Sequence, residues 1–494
     1  MKSSVSNPAN SRQQNLFHSH PTLSSKVMLV SFLGSVCFFV GLALALLPWW
    51  LVFSLFALPA LFTATLAWPF IGLLGLVVLV SGMVPSWMLP EILIGPGKIL
   101  PSDMALIILL GIVLQKATRA PNNILKASKS YLIPVMLFIL AIPFGLVVGY
   151  LFYGTSVKEV LNEARELMYW LICFLPLYFV TRSSDLHRIA WGLVVIGFTL
   201  AVIVVLQFVF HVKLLEDSRV ENLETMGVQY SDVTRSTAGG AIYLIIFPLY
   251  YLIARMLTRS LSAFIVMPVV AVLTAGIIVS FGRGIWIISL AGLFWVAWRL
   301  GRIKAVQRVT LIMLLGLFLA VAGLSIFKPS FIYAAVDRFA STFSEGGKNS
   351  SLGSRLEEND FAVNKILSSP IFGIGFGTPY KPRIDLYDGW DQVRYIHNSY
   401  IGLWLKLGLL GPFTAAWLMV VIFRRSRRML LVETLDVKNR ALLMSCLAGF
   451  FVPVMTGITQ PEWLVTSGVS FFALMTGLIA ALEYQSGLVE EKML

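Results

Sequence analysis

Long apolar runs separated by short polar turns occupy almost the whole chain. A membrane-spanning helix needs about 20 mostly apolar residues, with somewhat shorter runs tolerated. Runs of that kind fall at 27–47, 50–67, 69–84, 103–115, 131–151, 166–181, 189–210, 238–254, 261–280, 285–298, 309–327, 398–423, 440–459 and 463–482. The pattern predicts an all-α polytopic membrane protein of about 12–14 transmembrane helices. The second and third runs are parted only by Trp68-Pro69, and 103–115 and 285–298 are short.

Three polar intervals interrupt this rhythm. Residues 152–166 contain KEVLNEARE, which predicts a short amphipathic helix at the surface, and 211–237 forms a second polar stretch. The third, 328–397, is the largest. In it Ser354-x-x-Glu357 has the form of a capping box, and Leu356, Val363 and Leu367 fall on one helical face. Pro370 stops that helix, and Gly373, Gly375 and Gly377 permit tight backbone turns. The predicted layout is a disordered cytoplasmic tail (1–26), helices with short loops (27–327), a large external loop (328–397) and C-terminal helices with a short cytoplasmic tail (398–494). The apolar run from residue 27 exceeds a signal-peptide core and reads as an uncleaved first span.

Composition supports a membrane protein: 57% of residues are hydrophobic and 13% charged, with a mean hydropathy of +0.83, where soluble domains carry about 25% charged residues. The net charge of +13 is topological. With both termini inside, the cytoplasmic turns hold 22 of the 38 basic residues and six acidic ones, whereas all other regions together hold 16 basic and 19 acidic. This is the positive-inside distribution, and it leaves no basic surface for nucleic acid. Cys37, Cys173 and Cys446 all lie within apolar runs, so neither a disulfide framework nor a cysteine metal site is expected.

Against this background a few polar residues stand out. Arg283, in SFGRG, lies between two apolar runs with no room for a loop. A charge near membrane depth is costly and tends to be paired and functional, although an arginine can also snorkel to headgroup phosphate. Arg235 precedes STAGG, and Arg355 opens the helix of the large loop; each alone reads equally as an ordinary surface arginine. The guanidinium fork suits a phosphate or diphosphate. His397 sits where the large loop re-enters an apolar run, among Tyr395, Asn398 and Tyr400. It is either a helix-start residue or a general base that takes a proton from a hydroxyl, as neutral imidazoles do, with those three neighbours contacting an acceptor or supporting the histidine. Asp385, Asp388 and Asp391 lack the spacing of a calcium loop and read as a solvated face. GIGFG does not lie in a strand–turn–helix setting, so it is not read as a dinucleotide site. Lys406 either lines a cavity or snorkels.

In order, RSTAGG, SFGRG, and a long loop running from Arg355 through SPIFGIGFG to HNSYIGLWLKLGLLG resemble the O-antigen ligase/polymerase family, the WaaL- and Wzy-type polytopic glycosyltransferases that share a Wzy C-terminal domain. The likeness covers roughly 235–412. One departure is Lys406-Leu407-Gly408, where such proteins often carry an acidic residue. The resemblance implies a GT-C-like inner-membrane enzyme of bacteria, with its site on the external face. It implies an undecaprenyl-diphosphate-linked sugar donor and an acceptor hydroxyl on a glycan, a lipid core or a protein, with no metal or other cofactor. It assigns the catalytic role to His397 and diphosphate binding to Arg283 and Arg355, with Arg235 beside them. The rival reading is an anion or bicarbonate transporter, or a flippase for lipid-linked glycans. It lacks the paired Gly/Pro-broken segments of two related halves that mark transporter sites.

Overall fold

The computed structural model describes residues 63–84, 92–94, 97–119, 123–215, 218–225, 228–344, 351–381, 394–432 and 435–487. The predicted tail, the first predicted span, most of the second and the three aspartates lie outside these residues. In chain order the elements are α1 (Pro69–Val80), the hairpin β1 (Ile92–Ile94) and β2 (Gly97–Ile99), α2 (Pro101–Arg119), α3 (Asn123–Val147), α4 (Val157–Leu167), α5 (Phe174–Phe179) and α6 (Ser183–Phe210). The hairpin β3 (Val220–Thr225) and β4 (Val228–Ser236) follows, then α7 (Tyr243–Leu257), α8 (Ala263–Ile278), α9 (Arg283–Phe327), α10 (Phe331–Ser344), α11 (Ser351–Ser368), α12 (Ser399–Leu407), α13 (Leu410–Leu431), α14 (Val437–Thr456) and α15 (Thr466–Gln485). Among the described residues, eight helices are long and apolar enough to cross a membrane. The protein is an all-α polytopic membrane protein, and its described residues include two small hairpins.

Several predicted spans change form. The run at 398–423 is two helices, because Gly408 has φ +62° and a Cβ there would come within 1.9 Å of the Ile371 carbonyl oxygen. Another chain segment therefore crosses against the break. The run at 166–181 is a 3-10 turn (Met168–Cys173) leading into the short α5. The runs at 285–298 and 309–327 fall within one 45-residue helix, α9. A straight helix of that length would separate its ends by about 65 Å. The Phe281 and Phe331 rings, just outside its two ends, lie 5.8 Å apart. The chain therefore doubles back within α9, and two apolar stretches, 283–301 and 303–327, remain.

Contacts between helix ends define two ends of the bundle. Lys116 Nζ donates to the Tyr178 carbonyl, Gln485 Nε2 to the Val180 carbonyl, and Ser183 Oγ to Asn439 Oδ1. At this basic end Arg425 also pairs with Glu483 at 2.8 Å. The β3–β4 hairpin, the start of α9, α10, α11 and the start of α12 gather at the opposite end. There an aromatic column of Phe138, Trp170, Trp463 and Phe472 is buried, with ring centroids 5.0 Å apart at Phe138–Trp170 and 4.2 Å at Trp463–Phe472. It supports the 457–465 turn, which in turn holds the start of α12: Ser399 N donates to the Gly457 carbonyl and Ser399 Oγ to the Gln460 carbonyl.

Two expectations for the large interval are revised. α11 starts at Ser351, so Ser354 and Glu357 lie inside the helix and do not cap it. Its buried side is Ala362 and Ile366, packed with Ile374, Tyr380, Ile396 and Leu405, whereas Leu356, Val363 and Leu367 are exposed. The glycine turns do form, with φ of +69°, +72° and +72° at Gly373, Gly375 and Gly377. They let the loop press into the helical body. Ile374 N donates to the Leu405 carbonyl and Phe376 N to the Gly145 carbonyl, and a Cβ on Gly375 would lie 2.1 Å from Gly149 N.

Lys406, the departure from the family pattern, locks that insertion. It is 1% exposed, pairs with Glu163 of α4 at 3.1 Å and donates to the Thr378 carbonyl at 2.9 Å. The same Glu163 carboxylate accepts from Gly377 N. Of the two roles open from sequence, cavity lining and snorkelling, neither applies.

Candidate active site

Each arginine singled out in the sequence is positioned by a separate device. Arg235 is on β4, in register with Glu221 of β3, and the two side chains approach to 3.5 Å. The hairpin's base is fixed by Gln207, fully buried near the end of α6. Its Oε1 accepts from Leu214 N and Leu215 N, and its Nε2 donates to Ser236 Oγ at 3.1 Å. Arg235 Nε in turn donates to the Ser280 carbonyl at 3.2 Å, which ties the hairpin to the SFGRG turn.

That turn presents Arg283 as the first residue of α9. The reversal depends on Phe281, a non-glycine residue at φ +48° with its ring wholly buried against Phe331 and Trp286. Left-handed backbone at a bulky residue persists only where packing over-determines it. Arg338 of α10 braces the turn by donating from Nε to the Phe281 carbonyl, and Arg283 Nη1 donates to Ser341 Oγ at 2.8 Å.

Arg355 lies in the second turn of α11. Burial pulls its guanidinium below the ordinary value; the charge of Glu358 opposes this, and that of Arg283 adds to it. For Arg235 burial is again the first cause of a lowered value, opposed by Glu221 and reinforced by Arg219, Arg355 and Arg283. Arg235, Arg283 and Arg355 therefore come within electrostatic reach of one another, from three distant parts of the chain.

His397 faces this group from the other end of the large interval. Its Nδ1 is 2.8 Å from Glu358 Oε2, and its backbone N–H donates to the same oxygen at 3.3 Å. Burial alone would raise the Glu358 carboxyl; the hydrogen bonds and charge of His397, helped by Lys381 at 4.0 Å, outweigh it and hold the carboxyl below its usual range. A carboxylate on Nδ1 fixes the tautomer with Nδ1 protonated and leaves Nε2 as the acceptor. The imidazole side chain is 44% exposed and the Glu358 side chain 15%, so the ring reaches open space from a sheltered anchor.

The residues around His397 hold the segment in place. Asn398 Oδ1 caps α12 by accepting from Tyr400 N and Ile401 N. Tyr400 Oη donates to the Val454 carbonyl, and Tyr395 Oη to Glu166 Oε1 at 2.8 Å. Sequence reasoning passed over Glu358, Ser341 and Arg338. Glu358 had a usable signal: it lies three residues after Arg355, on the same helical face. Among the described residues no three His, Cys, Asp or Glu side chains converge to hold a metal ion.

Residues 246–416 match the Wzy_C family model, described as O-antigen ligase. The matched interval contains Arg283, Arg355, Glu358 and His397, while Arg235 lies just before it. No curated protein matches the chain.

Proposed function

We propose that this polytopic membrane protein, whose residues 246–416 match the O-antigen ligase family model, transfers an oligo- or polysaccharide from an undecaprenyl-diphosphate-type lipid to an acceptor hydroxyl on the external face of the bacterial inner membrane. The observation that carries the reading is a Glu358–His397 pair with Nε2 left open, beside three arginines that repel one another. Gathered guanidiniums are relieved by a multiply charged anion, and a diphosphate meets that need.

In this mechanism Arg283 and Arg355, with Arg235 beside them, hold the donor diphosphate. His397 Nε2 takes the proton from the acceptor hydroxyl as its oxygen bonds to the anomeric carbon. The bond from that carbon to the phosphate oxygen breaks, and its electron pair leaves on the lipid diphosphate, where the arginines stabilise the growing charge. A single displacement inverts the anomeric carbon. Glu358 orients the ring and stabilises the imidazolium that forms. Ligation to a lipid core and chain polymerisation use the same steps and differ in the acceptor.

The test is reconstitution in proteoliposomes with a lipid-diphosphate oligosaccharide and a set of acceptor glycans. His397→Ala should abolish transfer while donor binding persists, and Arg283→Ala should weaken donor binding. Near-normal transfer by His397→Ala would remove the base from the mechanism.

A further inference from the structure

A cavity lies between the hairpin β1–β2, α4, the 457–465 turn and the start of α15. Its volume is about 550 Å³, within the ~300–1,000 Å³ typical of small-ligand sites. Its charged lining consists of Lys98, Arg165, Glu166 and Glu462, two cations against two carboxyls. The arginine cluster attracts anions, whereas this balance offers a diphosphate little. Ser81, Ser102, Thr466 and Ser467 add hydroxyls, and Gly239 and Gly240 expose backbone.

Two of these groups are incompletely satisfied by the protein. Glu462 is 6% exposed, and its Oε2 is buried with no hydrogen-bond partner. Arg165 Nε is likewise buried and unbonded, and its Nη1 reaches only to 3.6 Å from Asp103. A buried polar atom left unpaired is costly, more so when charged, so such atoms lining a cavity call for a ligand with hydroxyls. Burial pushes the Glu462 carboxyl up to about 7, opposed in part by the Tyr243 hydroxyl; its ionised form accepts from a sugar hydroxyl more strongly than a neutral group does.

The cavity wall is tied to the chain that carries His397. Glu166 in its wall accepts from Tyr395 Oη on one oxygen and from Thr466 N on the other, and Tyr395 lies two residues before His397. The wall also includes Ala238, three residues beyond Arg235. We infer that this cavity is the subsite for the acceptor glycan, holding a neutral or zwitterionic sugar by Glu462 and Arg165 so that its hydroxyl meets His397. The acceptor role rests on the transfer reaction proposed above; the sugar-binding claim does not.

Saturation-transfer NMR on the full chain in nanodiscs, without donor, separates the two. The probes are methyl glycosides of a hexose, an N-acetylhexosamine, a heptose and a uronic acid. At least one should bind the wild type and His397→Ala alike, with affinity reduced about tenfold or more in the isosteric Glu462→Gln. Lys98→Met, at the cavity's hairpin wall, supplies a second variant should Glu462→Gln fail to fold. In the transfer assay both variants should raise the acceptor KM and leave the donor KM unchanged. Absence of binding by every glycoside, or equal binding by wild type and both variants, overturns the subsite. A raised donor KM with an unchanged acceptor KM overturns its assignment to the acceptor. Loss of transfer in the wild type with glycoside binding retained counts against the proposed reaction and leaves the sugar site standing.

Discussion

Glu358 gives the sharpest test of the site, because its two replacements remove different parts of one interaction. Glu358→Gln keeps an oxygen that accepts from His397 Nδ1 and removes the charge; Glu358→Ala removes both. A hydrogen bond to a charged group is worth about 1.5–3 kcal/mol and a neutral one about 0.5–1.5. With the imidazole 44% exposed and the carboxylate 15% exposed, solvent screening moves the values toward the lower ends. Losing the charge then costs about 1 kcal/mol of transition-state stabilisation, and losing the whole interaction about 2. At 1.36 kcal/mol per decade, transfer falls about fivefold in Glu358→Gln and about thirtyfold in Glu358→Ala. The measurement is single-turnover transfer with saturating donor and acceptor, alongside donor affinity, which should not change. Glu358→Ala within twofold of wild type, or a rise in donor KM at constant turnover, would refute an orienting role.

Three further outcomes follow from the same geometry. Lys406→Met leaves Glu163 charged at 2% exposure, so it should destabilise the protein by about 3–5 kcal/mol, read as a fall in melting temperature in detergent; Glu163→Gln in the same chain should recover part of it. Gly375→Ala forces an L side chain into φ +72° and against the Gly149 backbone, so folded yield should fall sharply, whereas Gly111→Ala, with open space at its Cβ, should be neutral. The third concerns pH. Glu358 is depressed in the folded state, so its contribution is complete above the ordinary value of 4.5 and is lost as pH falls through the lower folded value. The melting-temperature gap between wild type and Glu358→Gln should close as pH falls below that ordinary value.

Several features were legible in the sequence because their signal is local. Arg283 between two apolar runs, His397 at a re-entry point and the glycine turns each conflict with their surroundings. The groups that complete the site depend on distant pairing. Glu358 resembles any solvated carboxylate on a polar helix until His397, 39 residues later, returns beside it. Lys406 and Glu163 are separated by 243 residues, so neither predicts the other. The β3–β4 hairpin was missed because its strands are mostly polar and it is fixed by Gln207 and by cross-strand pairs, not by an apolar face. On α11 the largest apolar residues suggested the wrong buried side, since the protein packs the smaller Ala362 with Ile366.

The chain between Lys381 and Arg394 is fastened at both edges: Lys381 lies 4.0 Å from Glu358, and Arg394 pairs with Glu159 at 2.5 Å. The inserted glycine turns and the Lys406–Glu163 lock hold the approach on either side. For an engineer, Glu159 and Glu163 belong to the working unit: a transplant of α11 and α12 that leaves them behind loses the registration of Arg355, Glu358 and His397.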